Sequence, residues 1–244
     1  MEVFAKPAAP PVKAGVQENY LDYFIGDSRI TVTFHYKEGM KILMMQPHSE
    51  EETAWDAALQ VLGESGGLLA HISKVDGEDH TDRNVTVTVN GKKVHFNPNR
   101  MFTDEGLRKN LAKQNLDAET YERAFSDIRK FCTNVLERCW DFFKPEWVLA
   151  VHNDYNGIAF YKEFGKDSHD APGKDKRDFY FLTQKSDFER LSSMGYNAVL
   201  QKDDPVDDGS ASVYFKDMRY INTEGKNGDV ETQVRMIKDA IGIK

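Results

Sequence analysis

The chain has 244 residues, 40% of them apolar and 11% aromatic, and its 32 basic side chains face 40 acidic ones for a formal charge of −8. That length supports one large α/β domain burying about three quarters of its unfolded surface, and the 15 Phe, 10 Tyr and 3 Trp argue against general disorder. The acidic balance argues against a duplex nucleic-acid binder, and there is no run of about 18 apolar residues to span a membrane.

The N-terminus opens on acidic Met1-Glu2 with no apolar stretch behind it, so no secretory signal is visible. Residues 6–15 (KPAAPPVKAG) read as an extended tether. The expected organisation is a tether over 1–19 and a single domain over 20–244. A tether of this kind is either a natural terminus or the remnant left once a signal peptide is removed. The reading leans to an exported, periplasmic protein, with the cytoplasm as the alternative.

In chain order, Arg29–Tyr36 alternates apolar and polar residues as a half-buried strand does. Lys41–Gln46 is a continuous apolar run suited to a central strand, and it leads straight into Pro47-His48. Glu51–Leu62 reads as a helix with Ala54, Trp55, Ala58, Leu59 and Leu62 on one face and Gly63 behind it. Leu68–Ile72 is a buried strand, and Val85–Val89 and Lys93–Phe96 flank Asn90-Gly91, a strong hairpin signal. Asp104–Gln114 is a short helix, and Asp117–Trp140 a long amphipathic one carrying Cys132 and Cys139 on its apolar stripe. Seven residues apart on one helix, these thiols lie roughly 10 Å from each other, beyond disulfide reach, and are expected to be buried.

Trp147–Val151 is an apolar strand running into His152-Asn153, and the charged stretch 162–178 reads as a surface loop or a lid. Phe179–Leu182, Asn197–Gln201, Ser212–Phe215 and Met218–Asn222 are further predicted strands, and Val230–Ile241 is a closing helix. This alternation predicts a three-layer α/β/α domain with a mixed, mostly parallel sheet.

Residues able to hold a metal sit just past three predicted strands: His48 and Glu51, His152, and Glu224. Open α/β sheets bind ligands at the carboxyl ends of their strands, so these positions are expected to share a crevice. Two imidazoles and a carboxylate suit zinc and leave a coordination position for water. Glu50 and Glu52 compete with Glu51, and the i, i+3 spacing from His48 favours Glu51. His95 is expected on a strand surface, His35, His71, His80 and His169 are read as structural or solvent-exposed, and Met44 and Met45 as core.

In this order, Pro47-His48-Ser49-Glu50-Glu51, Asn97-Pro98-Asn99-Arg100, Val151-His152-Asn153 and Ile221-Asn222-Thr223-Glu224 resemble the zinc metallocarboxypeptidase superfamily, which includes the aspartoacylase and succinylglutamate desuccinylase branch. The resemblance implies a metallocarboxypeptidase-like fold with Zn2+ held by His48, Glu51 and His152. It also implies a substrate carboxylate on Asn99 and Arg100 and Glu224 as general base. The activity it implies is zinc-dependent amide hydrolysis, by a carboxypeptidase acting on peptides with a free carboxylate, bacterial cell-wall peptides among them. Two alternatives stay open: a deacylase of N-acyl amino acids, and a non-catalytic domain that binds peptide termini. The chain departs from the usual Asp-x-Asn-Arg-Asn of the peptidases and has Asn153 after its third ligand. Arg83, Arg219, Tyr155 and Tyr214 are candidates for the remaining substrate contacts, and Asp207–Tyr214 (DDGSASVY) resembles bacterial members without suggesting any chemistry.

Overall fold

The computed structural model describes residues 15–75 and 83–243. Most of the expected tether and His80 lie outside these residues, whereas residues 17–19 already belong to the first strand. Strands β1 (Gln17–Ile25) and β2 (Ser28–Lys37) form a hairpin, and β3 (Ile42–Gln46) leads through helix α1 (Glu52–Ser65) to β4 (Gly67–Val75). Strands β5 (Val85–Val89) and β6 (Lys92–Phe96) pair with each other as a separate two-stranded sheet. Helices α2 (Asp104–Leu111) and α3 (Ala118–Phe143) precede β7 (Trp147–Asp154). Then come α4 (Ile158–Tyr161), β8 (Gly165–His169), β9 (Phe179–Leu182), α5 (Lys185–Ser193), β10 (Asn197–Gln201), α6 (Ala211–Tyr214), β11 (Tyr220–Lys226) and α7 (Val230–Ile241).

Nine strands form one mixed sheet in the order β1-β2-β4-β3-β7-β11-β9-β10-β8. Its centre, β4-β3-β7-β11, is parallel, and antiparallel pairings flank it on both sides. The central strands are buried on both faces, which accounts for the continuous apolar runs ILMM and WVLAV. One apolar layer joins the sheet to α2, α3 and the β5–β6 hairpin, and the other joins it to α1, α5 and α7. The result is the predicted three-layer α/β/α arrangement. No helix among the described residues is long and apolar enough to cross a membrane.

Several elements differ from the sequence reading. β1, not anticipated, is a sheet edge whose outward residues are mostly exposed, so it lacks a buried apolar run. α5 was also not anticipated. Only Phe188 and Leu191 supply its apolar face, and Asp187 is buried because it pairs with Arg190 and Arg219. The 162–178 stretch contains β8, an edge strand held by β10. Residues 211–214 form a helical turn instead of a strand, since the apolar ring of Phe215 packs back against Phe102, Trp140 and Tyr220. His152 and Glu224 lie within β7 and β11 and not beyond them, because the pairing of these two strands extends through both residues. Cys132 and Cys139 are buried and free, and burial pushes both thiols up to about 12.

Candidate metal centre and its crevice

Parallel strands point their carboxyl ends the same way, so β3, β7 and β11 deliver their last residues to one edge of the sheet. After β3, the Glu51 N–H donates to His48 O (3.2 Å), closing a turn that sets both side chains on one side before α1 begins. The β7–β11 register places Glu224 beside His152.

His48, Glu51 and His152 converge with their ligand atoms all within 4.8 Å of one another, and all three are buried. Glu51 joins the other two: its Oε1 lies 3.0 Å from His48 Nδ1, and its Oε2 lies 3.0 Å from His152 Nδ1. Glu51 is 0% exposed.

The hydrogen bonds around this cluster fit a cation. Asn97 Oδ1 accepts the backbone N–H of Asn99 (2.8 Å), which fixes the amide so that its oxygen faces His48 Nε2 at 2.9 Å. His48 Nε2 must therefore carry a hydrogen, and in the neutral ring Nδ1 is a bare lone pair. That lone pair faces a carboxylate oxygen, a contact that requires a proton or a metal ion between them. Burial lowers the pKa of His48 against the opposing pull of Glu51, which disfavours the proton there. The His48 Nε2–H to Asn97 contact is the kind of outer hydrogen bond that orients a ligating imidazole.

Burial acts to raise the Glu51 carboxyl, but His152 and His48 outweigh it and hold the group well below the usual carboxylate range. Burial acts to lower His152, and the Glu51 and Glu224 carboxylates reverse this into a net rise.

Glu224 is 2% exposed, and burial raises its carboxyl against the pull of His152. Its Oε1 accepts hydrogen bonds from Tyr161 Oη (2.7 Å) and Asn222 Nδ2 (2.9 Å). Two donors thus orient one oxygen of this carboxyl and leave the other free.

Beside this centre lies a crevice of about 560 Å³ lined by Arg83, Asn99, Arg100, Tyr161, Asn222 and others. Arg83 Nη1 reaches to 3.6 Å from Glu51 Oε1, which places this guanidinium at the His48–Glu51–His152 cluster. Arg100 lies on the crevice wall, its Nη2 3.4 Å from Asp208 Oδ2 and its Nη1 donating to Asn99 O (3.1 Å). Asp104 and Glu105, its nearest acidic neighbours in sequence, are taken by Arg129 and Lys109.

On the opposite face of β7 and β11 a polar clamp spans the same residues. Gln233 of α7 donates to Asn153 Oδ1 (2.8 Å), and Asn153 Nδ2 donates to Asn227 Oδ1 (3.1 Å). Asn227 Oδ1 also accepts from Thr53 Oγ1 (2.9 Å) in the first turn of α1. Each link adjoins a site residue: Asn153 comes directly after His152, and Thr53 is two residues after Glu51. Gln233 can reach Asn153 because residue 225 has no side chain; a Cβ there would sit 2.4 Å from Gln233 Cγ.

The structure thus brings together His48, Glu51, His152 and Glu224, and sets Asn99 and Arg100 along the adjoining crevice. Of the other candidates only Arg83 reaches the centre. Arg219 pairs with Asp187 and covers the Trp147 ring, and Tyr155 and Tyr214 are largely exposed. His95 lies on a strand surface and contacts Thr86. Sequence reasoning passed over Tyr161 as a partner of Glu224 and Asp208 as a partner of Arg100. Neither has a local signal, since both contacts join residues distant in the chain.

No protein-family model matches the sequence, and no curated protein matches it. Among solved structures, the chain is similar to an aspartoacylase family protein from Mesorhizobium loti at 15% identity and a TM-score of 0.42, covering 93% of this chain and 66% of that one. A succinylglutamate desuccinylase from Silicibacter sp. matches at 14% identity and 0.47, over 99% of this chain and 70% of its own. A product-bound ectoine utilization protein from Ruegeria pomeroyi matches at 13% identity and 0.48, over 97% and 69%. The chain therefore spans about two thirds of the length of these structures. The likeness is one of chain path, and the chemistry open to the site is set by its own residues.

Proposed function

We propose that the chain is a zinc-dependent amide hydrolase of the metallocarboxypeptidase type, acting on peptides that end in a free carboxylate. The observation that carries this reading is the buried Glu51 carboxylate held at 3.0 Å by the Nδ1 atoms of two buried imidazoles. His48, Glu51 and His152 would hold the metal. A divalent cation there supplies Lewis-acid polarisation of an amide carbonyl and lowers the pKa of an attacking water.

The rest is the work of the chain. Glu224, with Oε1 committed to Tyr161 and Asn222, has Oε2 left to take the water's proton and return it to the departing amine. Arg83 supplies positive charge where the carbonyl oxygen becomes negative. Asn99 and Arg100 hold the substrate's free carboxylate on the crevice wall, which a guanidinium fork matches.

The test is the ratio of kcat/KM for a free-acid peptide to that for its C-terminal amide. Losing a charge-assisted carboxylate contact in a partly desolvated crevice costs about 2–5 kcal/mol. Arg100→Ala should therefore collapse the ratio by acting on the free acid alone, and Arg100→Lys should restore part of it. A ratio that Arg100→Ala leaves unchanged removes this residue from the site and the carboxypeptidase reading with it.

A further inference from the structure

The two edges of the nine-stranded sheet, β8 and β1, are finished differently. β8 is five residues long, exposes Lys166 and Asp167, and shifts register against β10 at Gln201. Each of these features blunts an edge against a further strand. β1 is nine residues long, contains no Pro or Lys, and pairs with β2 from Gln17 to Ile25 without a register shift. Among the described residues no strand pairs with its outer edge.

The β1–β2 hairpin fixes which residues of β1 face outward. Gly26-Asp27 is a two-residue turn, so the closing pair Ile25↔Ser28 is hydrogen-bonded. Hydrogen-bonded pairs alternate along an antiparallel ladder, which adds Tyr23↔Ile30, Leu21↔Val32, Asn19↔Phe34 and Gln17↔Tyr36. The backbone N–H and C=O groups of Glu18, Tyr20, Asp22 and Phe24 therefore point away from β2, to the open edge. The side chains of these same residues share one face of the strand, on which Tyr20 is 64% and Phe24 66% exposed. On the other face Leu21 and Tyr23 pack against the apolar layer under α3, Tyr23 edge-on to Phe131.

We propose that β1 is a dimerisation edge, on which a second copy of this chain adds its own β1 antiparallel about a two-fold axis at Leu21. This is the register that pairs the whole strand, and it joins outward-facing residues to outward-facing residues. It sets Glu18 opposite Phe24 of the second copy and Tyr20 opposite Asp22 of the second copy, so each carboxylate meets an aromatic ring. The neighbouring registers set Asp22 opposite Asp22 or Glu18 opposite Asp22, and like charges directly opposite destabilise a strand pair. More distant registers forfeit much of the ladder, and parallel in-register pairing sets each carboxylate beside its own copy. In the Leu21-centred register, Tyr20 and Phe24 of the two copies are diagonal neighbours at about 7–8 Å, within reach of aromatic side chains, and form one row of rings. The contact is isologous and consumes β1, while β8 is blunted, so assembly stops at the dimer.

The experiment is sedimentation equilibrium of the full 27.9 kDa chain, with oxidation of single-cysteine variants to check the register. The mass should rise with concentration to twice that of the chain and no further. Tyr20→Pro removes an outward N–H and leaves the hydrogen bonds to β2 in place, and Tyr20→Glu sets a carboxylate against Asp22 of the second copy. Each should weaken the dimer about tenfold or more. Tyr214→Glu, at an exposed ring far from this edge, should leave the mass unchanged. Leu21→Cys should oxidise to a covalent dimer, since directly opposed residues of a non-hydrogen-bonded pair stand about 4.5 Å apart at Cα, within disulfide reach. Asn19→Cys, which faces Tyr23 of the second copy, should not, and the native Cys132 and Cys139 are buried. A monomeric mass at every concentration, a dimer that both Tyr20 variants leave intact, or one that Tyr214→Glu dissociates overturns the proposal. Cross-linking through position 19 and not through position 21 overturns it as well.

Discussion

Two buried carboxylates, Glu51 and Glu224, lie in different surroundings, and the proposed function gives them different work. Glu51 is flanked by two imidazoles that hold its pKa well down despite burial, so it is a permanent anion suited to holding a metal. Glu224 lacks that double pairing, burial raises its carboxyl, and Tyr161 and Asn222 fix one of its oxygens. Glu224→Gln, which keeps the shape and removes the proton acceptor, should retain zinc and lose about 10²–10⁴-fold in turnover. His48→Ala should instead lose the zinc, because two remaining ligands hold it poorly. Metal analysis run beside the rate measurement separates these outcomes. Loss of zinc from the Gln variant would make Glu224 a ligand and not the base.

Among the elements, the clamp on the far face of β7 and β11 is expected to align the proposed ligands. It fastens α7, β7 and the first turn of α1 through Gln233, Asn153, Asn227 and Thr53, so the backbones carrying Glu51, His152 and Glu224 are held by one polar chain. Gly225→Ala would force Gln233 aside, since the new Cβ would sit 2.4 Å from its Cγ. Overpacking of this kind costs about 1–3 kcal/mol. Disturbing the support of a metal ligand lowers affinity about 10–100-fold. The measurement is zinc affinity by competition with a chelator, alongside that of Leu191→Ala, a destabilising variant in the α5 core. Zinc affinity that falls only in Gly225→Ala identifies alignment as the cause, and equal affinities in both variants would reduce the clamp to ordinary packing.

At the scale of the whole molecule, metal binding at the candidate site is expected to couple to stability and pH. The pKa of His152 is raised above its ordinary 6.5 by the two carboxylates it faces. Without metal, the stabilisation this gives is fully present below the ordinary value and is lost as pH rises through the raised one. A cation must displace that proton, so zinc affinity should rise with pH across the same interval. A ligand at a hundredfold excess over its Kd stabilises by about 2.7 kcal/mol. The Tm gain on adding zinc should therefore be larger on the alkaline side of the His152 titration than on the acid side. A gain that is the same on both sides would mean that zinc does not compete with this proton.

How much of this was legible in the sequence depends on how far each signal reaches along the chain. Continuous apolar runs marked β3 and β7, the Asn90-Gly91 turn marked the hairpin, and the helical period marked α3, because burial, turn geometry and side-chain period act over a few residues. The order of His48, Glu51, His152 and Glu224 behind such runs was enough to locate the cluster, since parallel strands end at one edge. Edge strands β1 and β8 escaped, because solvent on one side removes the apolar run that marks a strand. Tyr161 on Glu224, Asp208 on Arg100 and Gln233 on Asn153 were decided by the tertiary structure alone. Each joins residues far apart in the chain, and which of many Tyr, Asp or Gln side chains arrives there depends on strand order and helix packing. Those are set by burial of the two apolar layers together, a property of the whole sheet that no local stretch of sequence carries.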